Sequence, residues 1–221
     1  MLNEHIEKEE LSVVFNGSFN PLIITPYWLS TKNLIRESEA TNADVRIMHQ
    51  EIVDFSLDWV FIEITQTRAT FKCTKSPFFD ITRDLILGIF KILRETPIYS
   101  YGFNFQSTIS LKTQDRFYII GNKIAPFSNW AEVVEEPRLQ RIDILQKAPL
   151  NEIDGRITVQ VYASEDLSIQ FAIVINVNNH FAFDIKTKDR KFTSNHLLDN
   201  WELSKTSANN ILIQLSINLE L

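Results

Sequence analysis

The sequence predicts an α+β fold, with a mostly antiparallel sheet, or sheets, and long helices packed on one face. Several segments alternate apolar and polar residues, which is the period of a half-buried strand. Most of these segments follow one another directly along the chain, as the strands of an antiparallel sheet do. With 221 residues, 44% of them hydrophobic, the chain is long and apolar enough to form a single domain over residues 1–221.

The N-terminal region predicts a short strand followed by an apolar arm. Residues 11–15 are apolar and end at Asn16-Gly17, a pair typical of turns. Residues 21–30 are apolar but interrupted by two prolines, which favours an extended arm or a short turn of helix. Trp28 lies in this arm and is a candidate for docking on a partner, because large aromatic side chains often anchor interfaces.

The next region predicts two or three antiparallel strands followed by a long helix. Residues 53–74 alternate in hydrophobicity around a nearly continuous apolar run. Ser76-Pro77 then has the residues of a helix start. A helix over residues 77–95 is predicted because apolar residues follow at helical spacing, and Pro97 could not continue it. The apolar stripe consists of Ile81, Leu85, Ile89, Ile92 and Leu93.

The remaining elements are predicted in the same way. The patterns indicate strands at residues 98–111, 138–146, 156–163 and 168–184, a helix from Thr113 to residue 124, and a last helix that begins at Ser194 or Asn195. The tail over residues 211–221 fits either a continued helix or a strand. Residues 44–96 and 138–213 each consist of strands followed by a long helix, which raises the possibility of two similar halves.

Several segments of the chain form a recognisable set of blocks. They are 26–28, 39–40, 96–98, 101–105, 120–126 with Trp130, 155–161 and 176–181. Together these segments resemble a family of bacterial proteins of similar length whose function is uncharacterised. The resemblance covers most of the chain and implies a single cytoplasmic domain, without implying an activity. Family members often have His at the position of Asn122.

One segment resembles the start of a nucleotide-binding enzyme. Residues 15–21 read Phe-Asn-Gly-Ser-Phe-Asn-Pro, similar to the first turn of the nicotinate-mononucleotide adenylyltransferases. In those enzymes a His-x-Gly-His sequence follows at once and binds the triphosphate. Here residues 22–26 read Leu-Ile-Ile-Thr-Pro, and the strand–helix alternation of a parallel nucleotide-binding fold is missing. We therefore predict no nucleotidyl transfer.

No other catalytic, cofactor or metal motif is found. The five glycines are too scattered to form a phosphate loop. The four histidines lack the short spacing of zinc ligands, and His180 with Asp184 would supply only two ligands. Cys73 is in phase with the apolar face of a strand and is predicted to be a core thiol. We expect no catalytic residues, no cofactor and no metal.

Charge and cysteine content indicate the compartment and the partners. The net charge of −6 argues against nucleic-acid binding. A single cysteine favours a reducing compartment, and neither a signal peptide nor a transmembrane stretch is recognised, so the prediction is a cytoplasmic protein without membrane contact. Lys186, Lys188 and Arg190 share one face of a continued strand, where they would either meet an acidic partner or guard a sheet edge.

Two hypotheses about function remain. The first is a non-catalytic protein that binds another protein, or itself, through sheet edges or apolar surface. For self-association we predict a homodimer, with the apolar tail over residues 211–221 as the contact. The second is an enzyme or small-ligand binder whose pocket is formed by dispersed polar residues. The candidates for that pocket are Asn104, Trp130, Asn178 and His180, because they lie in the segments that resemble the bacterial family.

Overall fold

A computed structural model describes residues 5–147, 154–183 and 192–221. In this part of the chain nine strands form one sheet in the order β2-β3-β4-β5-β1-β6-β9-β8-β7, and each neighbouring pair is antiparallel. The prediction of an α+β fold with an antiparallel sheet is confirmed. The strands are β1 (Ile6–Gly17), β2 (Asp44–Met48), β3 (Ile52–Ser56), β4 (Phe61–Thr65), β5 (Arg68–Cys73), β6 (Ile98–Ser110), β7 (Arg141–Lys147), β8 (Asp154–Ala163) and β9 (Ala172–Ala182).

The described residues also form five α-helices. They are α1 (Pro26–Thr31), α2 (Glu37–Thr41), α3 (Phe79–Ile92), α4 (Gln114–Ile124) and α5 (Ser194–Leu219). The two longest helices, α3 and α5, each follow a run of strands, as the sequence predicts. The apolar arm forms a 3-10 turn and α1, and the hydroxyl of Thr25 caps α1 by accepting from the backbone N–H of Trp28.

The core lies against one set of alternating strand residues. Val13 in β1 pairs with Phe71 in β5 and with Phe103 in β6, and all three are fully buried. Side chains of paired residues point to the same face of a sheet. The main hydrophobic cluster joins this face to apolar residues of α3 and α5, among them Ile89 and Trp201.

The stripe predicted on α3 is partly wrong. Leu85 and Ile89 are buried, whereas Ile81 and Ile92 are 48% and 43% exposed. Helical spacing alone places all four on one broad face, but the sheet and the α1–α2 region cover only part of that face. Gly88 lies where the helix approaches the segment after α1, since an added methyl group would be 2.4 Å from Cδ2 of Leu34.

The C-terminal tail is helical, and its alternative prediction as a strand is wrong. Helix α5 continues to Leu219, and Leu212 and Leu219 are buried in a second cluster with residues of α4, β6 and β9. Ile213 and Ile217 lie outside this buried stripe and are exposed. The tail also alternates apolar and polar residues as a strand would. Its buried positions nevertheless recur mainly at intervals of three and four residues, which is the spacing of one helix face.

Candidate functional site

The sheet has a second face, on which polar side chains predominate. Ser12 in β1, Asn104 in β6, Asn178 in β9 and Thr158 in β8 are neighbours in one row across the sheet. This row alternates with the buried positions, so its side chains point away from the hydrophobic clusters. We call this surface the polar face.

Three of the four predicted ligand-binding residues lie together on the polar face. The amide nitrogen of Asn178 donates to Oδ1 of Asn104 over 2.6 Å, and the amide nitrogen of Asn104 donates to the carbonyl of Ser12 over 3.2 Å. His180 is two residues along β9 from Asn178, opposite Gly102. Oδ1 of Asn178 is buried and has no hydrogen-bond donor among the described residues.

His180 is held in its neutral form. Burial lowers the pKa of its imidazole below the ordinary value of 6.5, and the positive charge of Arg156 lowers the pKa further. Arg156 is the residue opposite His180 on β8. At neutral pH the side chain therefore offers one nitrogen donor and one nitrogen acceptor and carries no charge.

Trp130 is not part of this group. It follows a short 3-10 turn after α4, is 52% exposed, and its carbonyl accepts from the backbone N–H groups of Val133 and Val134. Helix α4 packs through Ile120 against the cluster on the apolar face, and thus on the side of the sheet opposite Asn104.

The predicted interaction residues are placed as follows. Trp28 lies in α1, is partly buried and packs against the main hydrophobic cluster, so part of its indole is already occupied. Lys186, Lys188 and Arg190 lie outside the described residues.

Polar interactions on this face continue to the edge strand β7. The amide of Asn176 donates to Gln160 over 2.7 Å, and Gln160 donates to Asp143 over 3.1 Å. Arg141 holds both oxygens of Asp143 through contacts of 2.7 and 3.0 Å. Hydrogen bonding to this guanidinium is the main cause that lowers the pKa of Asp143, so this carboxylate stays ionised.

The edge position of β7 is the feature that sequence reasoning missed. In the described part of the sheet, β7 pairs with β8 alone, in a regular register from Arg141 to Lys147. Ile144 and Leu145 are 58% and 60% exposed. They point to opposite faces of the sheet, so this edge is apolar on both sides.

The opposite edge, β2, is built differently. A bulge interrupts its register with β3 between Val45 and Ile47, and bulges are a common way to blunt an edge against further pairing. Arg46 at this bulge is hydrogen-bonded to Asp54 and Ser56, and its guanidinium lies 4.8 Å from the ring centre of Phe61. Strands β3 and β4 therefore already hold the long side chain of Arg46 at this edge.

Within residues 5–147, 154–183 and 192–221, no three His, Cys, Asp or Glu side chains come together as metal ligands would. Cys73 is fully buried and its thiol donates to the carbonyl of Lys75 over 3.3 Å. None of the helices described has the length and apolar composition needed to span a bilayer.

Open clefts mark the surface of the described residues. One of about 1220 Å³ lies between α1, α2 and α3 and includes Trp59 and Tyr27. A cleft of about 380 Å³ lies beside α5 around Phe105 and Lys205. A third, of about 880 Å³, lies on the polar face near Tyr162.

The comparisons with known proteins add no assignment. No family model matches the chain, and no curated protein matches its sequence. The resemblance to an uncharacterised bacterial family stays a prediction, and function has to be argued from the geometry.

Proposed function

We propose that this chain is a non-catalytic protein-interaction protein that binds an extended segment of a partner along the edge strand β7. The observation that carries the proposal is the regular, exposed edge from Arg141 to Lys147, with Ile144 and Leu145 uncovered on its two faces. An edge strand presents a row of backbone N–H and C=O groups to any chain that approaches it. Adding a strand satisfies these groups, while side chains on alternate faces give specificity.

The β7 edge offers more than the exposed apolar positions of α5 do. Ile213 and Ile217 on α5 expose side chains only, because their backbone groups belong to a helix. Single exposed apolar residues are normal on soluble proteins. In β7 the unpaired backbone and two apolar side chains lie within one segment, and this combination favours the edge over the tail as the contact surface.

The wider arrangement that we propose has the helices on one face of the sheet and the polar face open. In support, the apolar strand residues that pack with α3 and α5 occupy one set of alternating positions. Two similar halves are supported by the order strand, helix, strands, helix, which occurs before and after residue 97. A cytoplasmic, bacterial location remains part of the proposal, on the strength of the buried single cysteine and the family resemblance.

A site-specific photo-crosslink tests binding at the edge. A photoreactive amino acid at position 144, in the protein incubated with a lysate of the organism that encodes it, is expected to give discrete adducts. The same amino acid at position 198, which is exposed on α5, is the matched control and should give none of them. Equal adducts at both positions, or none at position 144, would contradict the proposed function.

A second candidate function is the binding of a small polar ligand on the polar face. The observation in its favour is the contact between Asn104 and Asn178, together with the buried, unpartnered Oδ1 of Asn178. Such an acceptor costs about 1–3 kcal/mol when it lacks a donor, and a ligand O–H or N–H would relieve that cost. Saturation-transfer NMR with hexoses tests this function: a signal that Asn178→Ala abolishes and Asn16→Ala keeps would support it, and no signal would exclude hexoses.

A further inference from the structure

We propose that the partner at β7 is a second copy of this chain, paired antiparallel about a two-fold axis at Leu145. This inference rests on the proposed function, since it names the segment that the edge binds. In this arrangement β7 of both protomers would join the two sheets into one, with a two-fold axis perpendicular to the sheet. Two-fold pairing of identical surfaces is the commonest form of homo-oligomer.

The backbone fixes which residues of β7 face outward. The N–H of Ala163 donates to the carbonyl of Gln140 over 3.1 Å, so residue 140 turns its backbone groups toward β8. In an antiparallel pair these groups alternate in direction from one residue to the next. Residues 142, 144 and 146 therefore bond to β8, whereas Arg141, Asp143, Leu145 and Lys147 present N–H and C=O to a new strand.

Symmetry then leaves only a few registers. Two copies can exchange backbone hydrogen bonds only if outward-facing residues lie opposite outward-facing residues. The two-fold axis must therefore pass through a residue of β7 and cannot lie between two residues. Near the middle of the strand the candidates are Asp143, Ile144 and Leu145.

Charge separates these three registers. An axis at Asp143 places the two Asp143 carboxylates opposite each other. With the axis at Ile144, Arg141 faces Lys147 of the second copy. If the axis is at Leu145, Asp143 faces Lys147 of the second copy twice. Like charges directly opposite in a sheet are destabilising and opposite charges are stabilising, so the axis at Leu145 is favoured.

The apolar residues agree with the register centred on Leu145. The two Leu145 side chains become direct neighbours on the polar face, where each is 60% exposed in the single chain. On the other face Ile144 lies beside Gln146 of the second copy. The edge that is apolar on both faces is thereby covered on both faces.

Cysteine crosslinking tests the register, because the native thiol of Cys73 is buried. In the favoured register residue 145 lies opposite itself, at a Cα separation of about 5.5 Å, which a disulfide spans. Mild oxidation of Leu145→Cys is expected to give a covalent dimer. Ile144→Cys is the matched control and should crosslink poorly, since residue 144 is then displaced from its own copy along the strand.

Charge reversal at Lys147 gives an independent test with opposite expected signs. Lys147→Glu would place Glu against Asp143 of the second copy and raise the dissociation constant of the dimer about tenfold. Lys147→Arg should leave that constant unchanged. In the register centred on Ile144, Lys147→Glu would instead face Arg141 and strengthen the dimer. Circular dichroism of each variant shows whether the fold is kept.

The outcomes separate this inference from the proposed function. A monomeric mass by light scattering at tens of micromolar, or preferred crosslinking through Ile144→Cys, would overturn the pairing at Leu145. If the chain is monomeric and the probe at position 144 still captures another protein, the proposed function survives without the second copy. If the probe captures nothing and the chain is monomeric, both fail.

Discussion

The indole N–H of Trp201 in α5 donates a hydrogen bond of 2.9 Å to Oδ1 of Asp80 in the first turn of α3. One turn further along α5, the ammonium of Lys205 lies 3.1 Å from both oxygens of Asp80. The ring of Trp201 also meets Phe103 of β6 edge-on, with ring centres 5.4 Å apart. Two helices far apart in sequence are thereby joined to each other and to the central strands.

Asp80→Ala is expected to lower the free energy of unfolding by about 1–2 kcal/mol, because it removes a charged acceptor from the indole. Asp80→Asn should cost less, since its amide oxygen still accepts from Trp201 and the lost pair with Lys205 is half exposed and screened by solvent. Urea denaturation measures both. Asp84→Ala, which loses only a surface contact with Arg83, is the control; equal losses for Asp80→Ala and Asp84→Ala would show that the indole contact contributes nothing.

Two isoleucines of α3 form a matched pair for core packing. Ile89 is fully buried, whereas Ile92 is 43% exposed. Ile89→Ala should destabilise by about 2–4 kcal/mol, as truncation of a buried aliphatic side chain does, and Ile92→Ala by less than about 1 kcal/mol. If urea titrations show similar losses in the free energy of unfolding for both variants, then both side chains are equally buried in solution.

This pair also shows where sequence reasoning stops. Periodicity located α3 to within a few residues, because capping and helical spacing are local properties. It could not separate Ile89 from Ile92, since the width of the covered stripe depends on what packs against it. Likewise, the strand at β7 was expected from alternation, but its edge position follows from the pairing order of nine strands, which no local pattern encodes.

The candidate site likewise combines features that a local pattern predicts with features that depend on the pairing of distant strands. Alternating hydrophobicity predicted that Asn104 and Asn178 lie in strands. They became candidates for a ligand site because they lie in the segments that resemble the bacterial family. That they share a hydrogen bond depends on the register between strands 74 residues apart in sequence. Trp130 was chosen for the same reason, but it lies beyond α4 and away from Asn104. The family resemblance alone therefore could not show which candidate residues lie together.

Gly17 is required by a close backbone approach rather than by the turn that Asn16-Gly17 predicts. It ends β1, and an added methyl group would lie 2.3 Å from the carbonyl oxygen of Pro97, which also accepts from the N–H of Ser18. Gly17→Ala should therefore destabilise by about 1–3 kcal/mol, as overpacking does. In Gly102→Ala the nearest atom is at 3.3 Å, so we expect a smaller loss; thermal unfolding that ranks the two in reverse order would contradict this reading.

Stability is expected to fall as the pH drops below neutral. Burial lowers the pKa of His180 and of His196 from the ordinary 6.5. Between pH 6.5 and the lower native pKa, the unfolded chain binds more protons than the folded chain, so acid favours unfolding. His180→Gln should reduce the difference between urea midpoints at pH 7.5 and pH 5.5, whereas His49→Gln, on an exposed turn, serves as the control. An unchanged difference in His180→Gln would show that this imidazole does not resist protonation.

The last turns of α5 are expected to hold the fold together rather than to serve as a free contact surface. Leu212 and Leu219 are buried against a cluster that contains Ile109 of β6 and Ile120 of α4. The guanidinium of Arg116 in α4 also donates to the carbonyl of Glu220 over 2.7 Å.

A chain ending at Asn210 loses both leucines, each worth about 2–4 kcal/mol when buried, which is comparable to the whole stability of an ordinary domain. We therefore expect the truncated chain to unfold or to lose most of its urea resistance. The double variant Ile213→Ser with Ile217→Ser, which changes only exposed residues of the same turns, should stay folded with nearly unchanged stability. Circular dichroism and urea titration distinguish the two cases, and a fully stable fold after truncation would show that the second cluster does not depend on the tail.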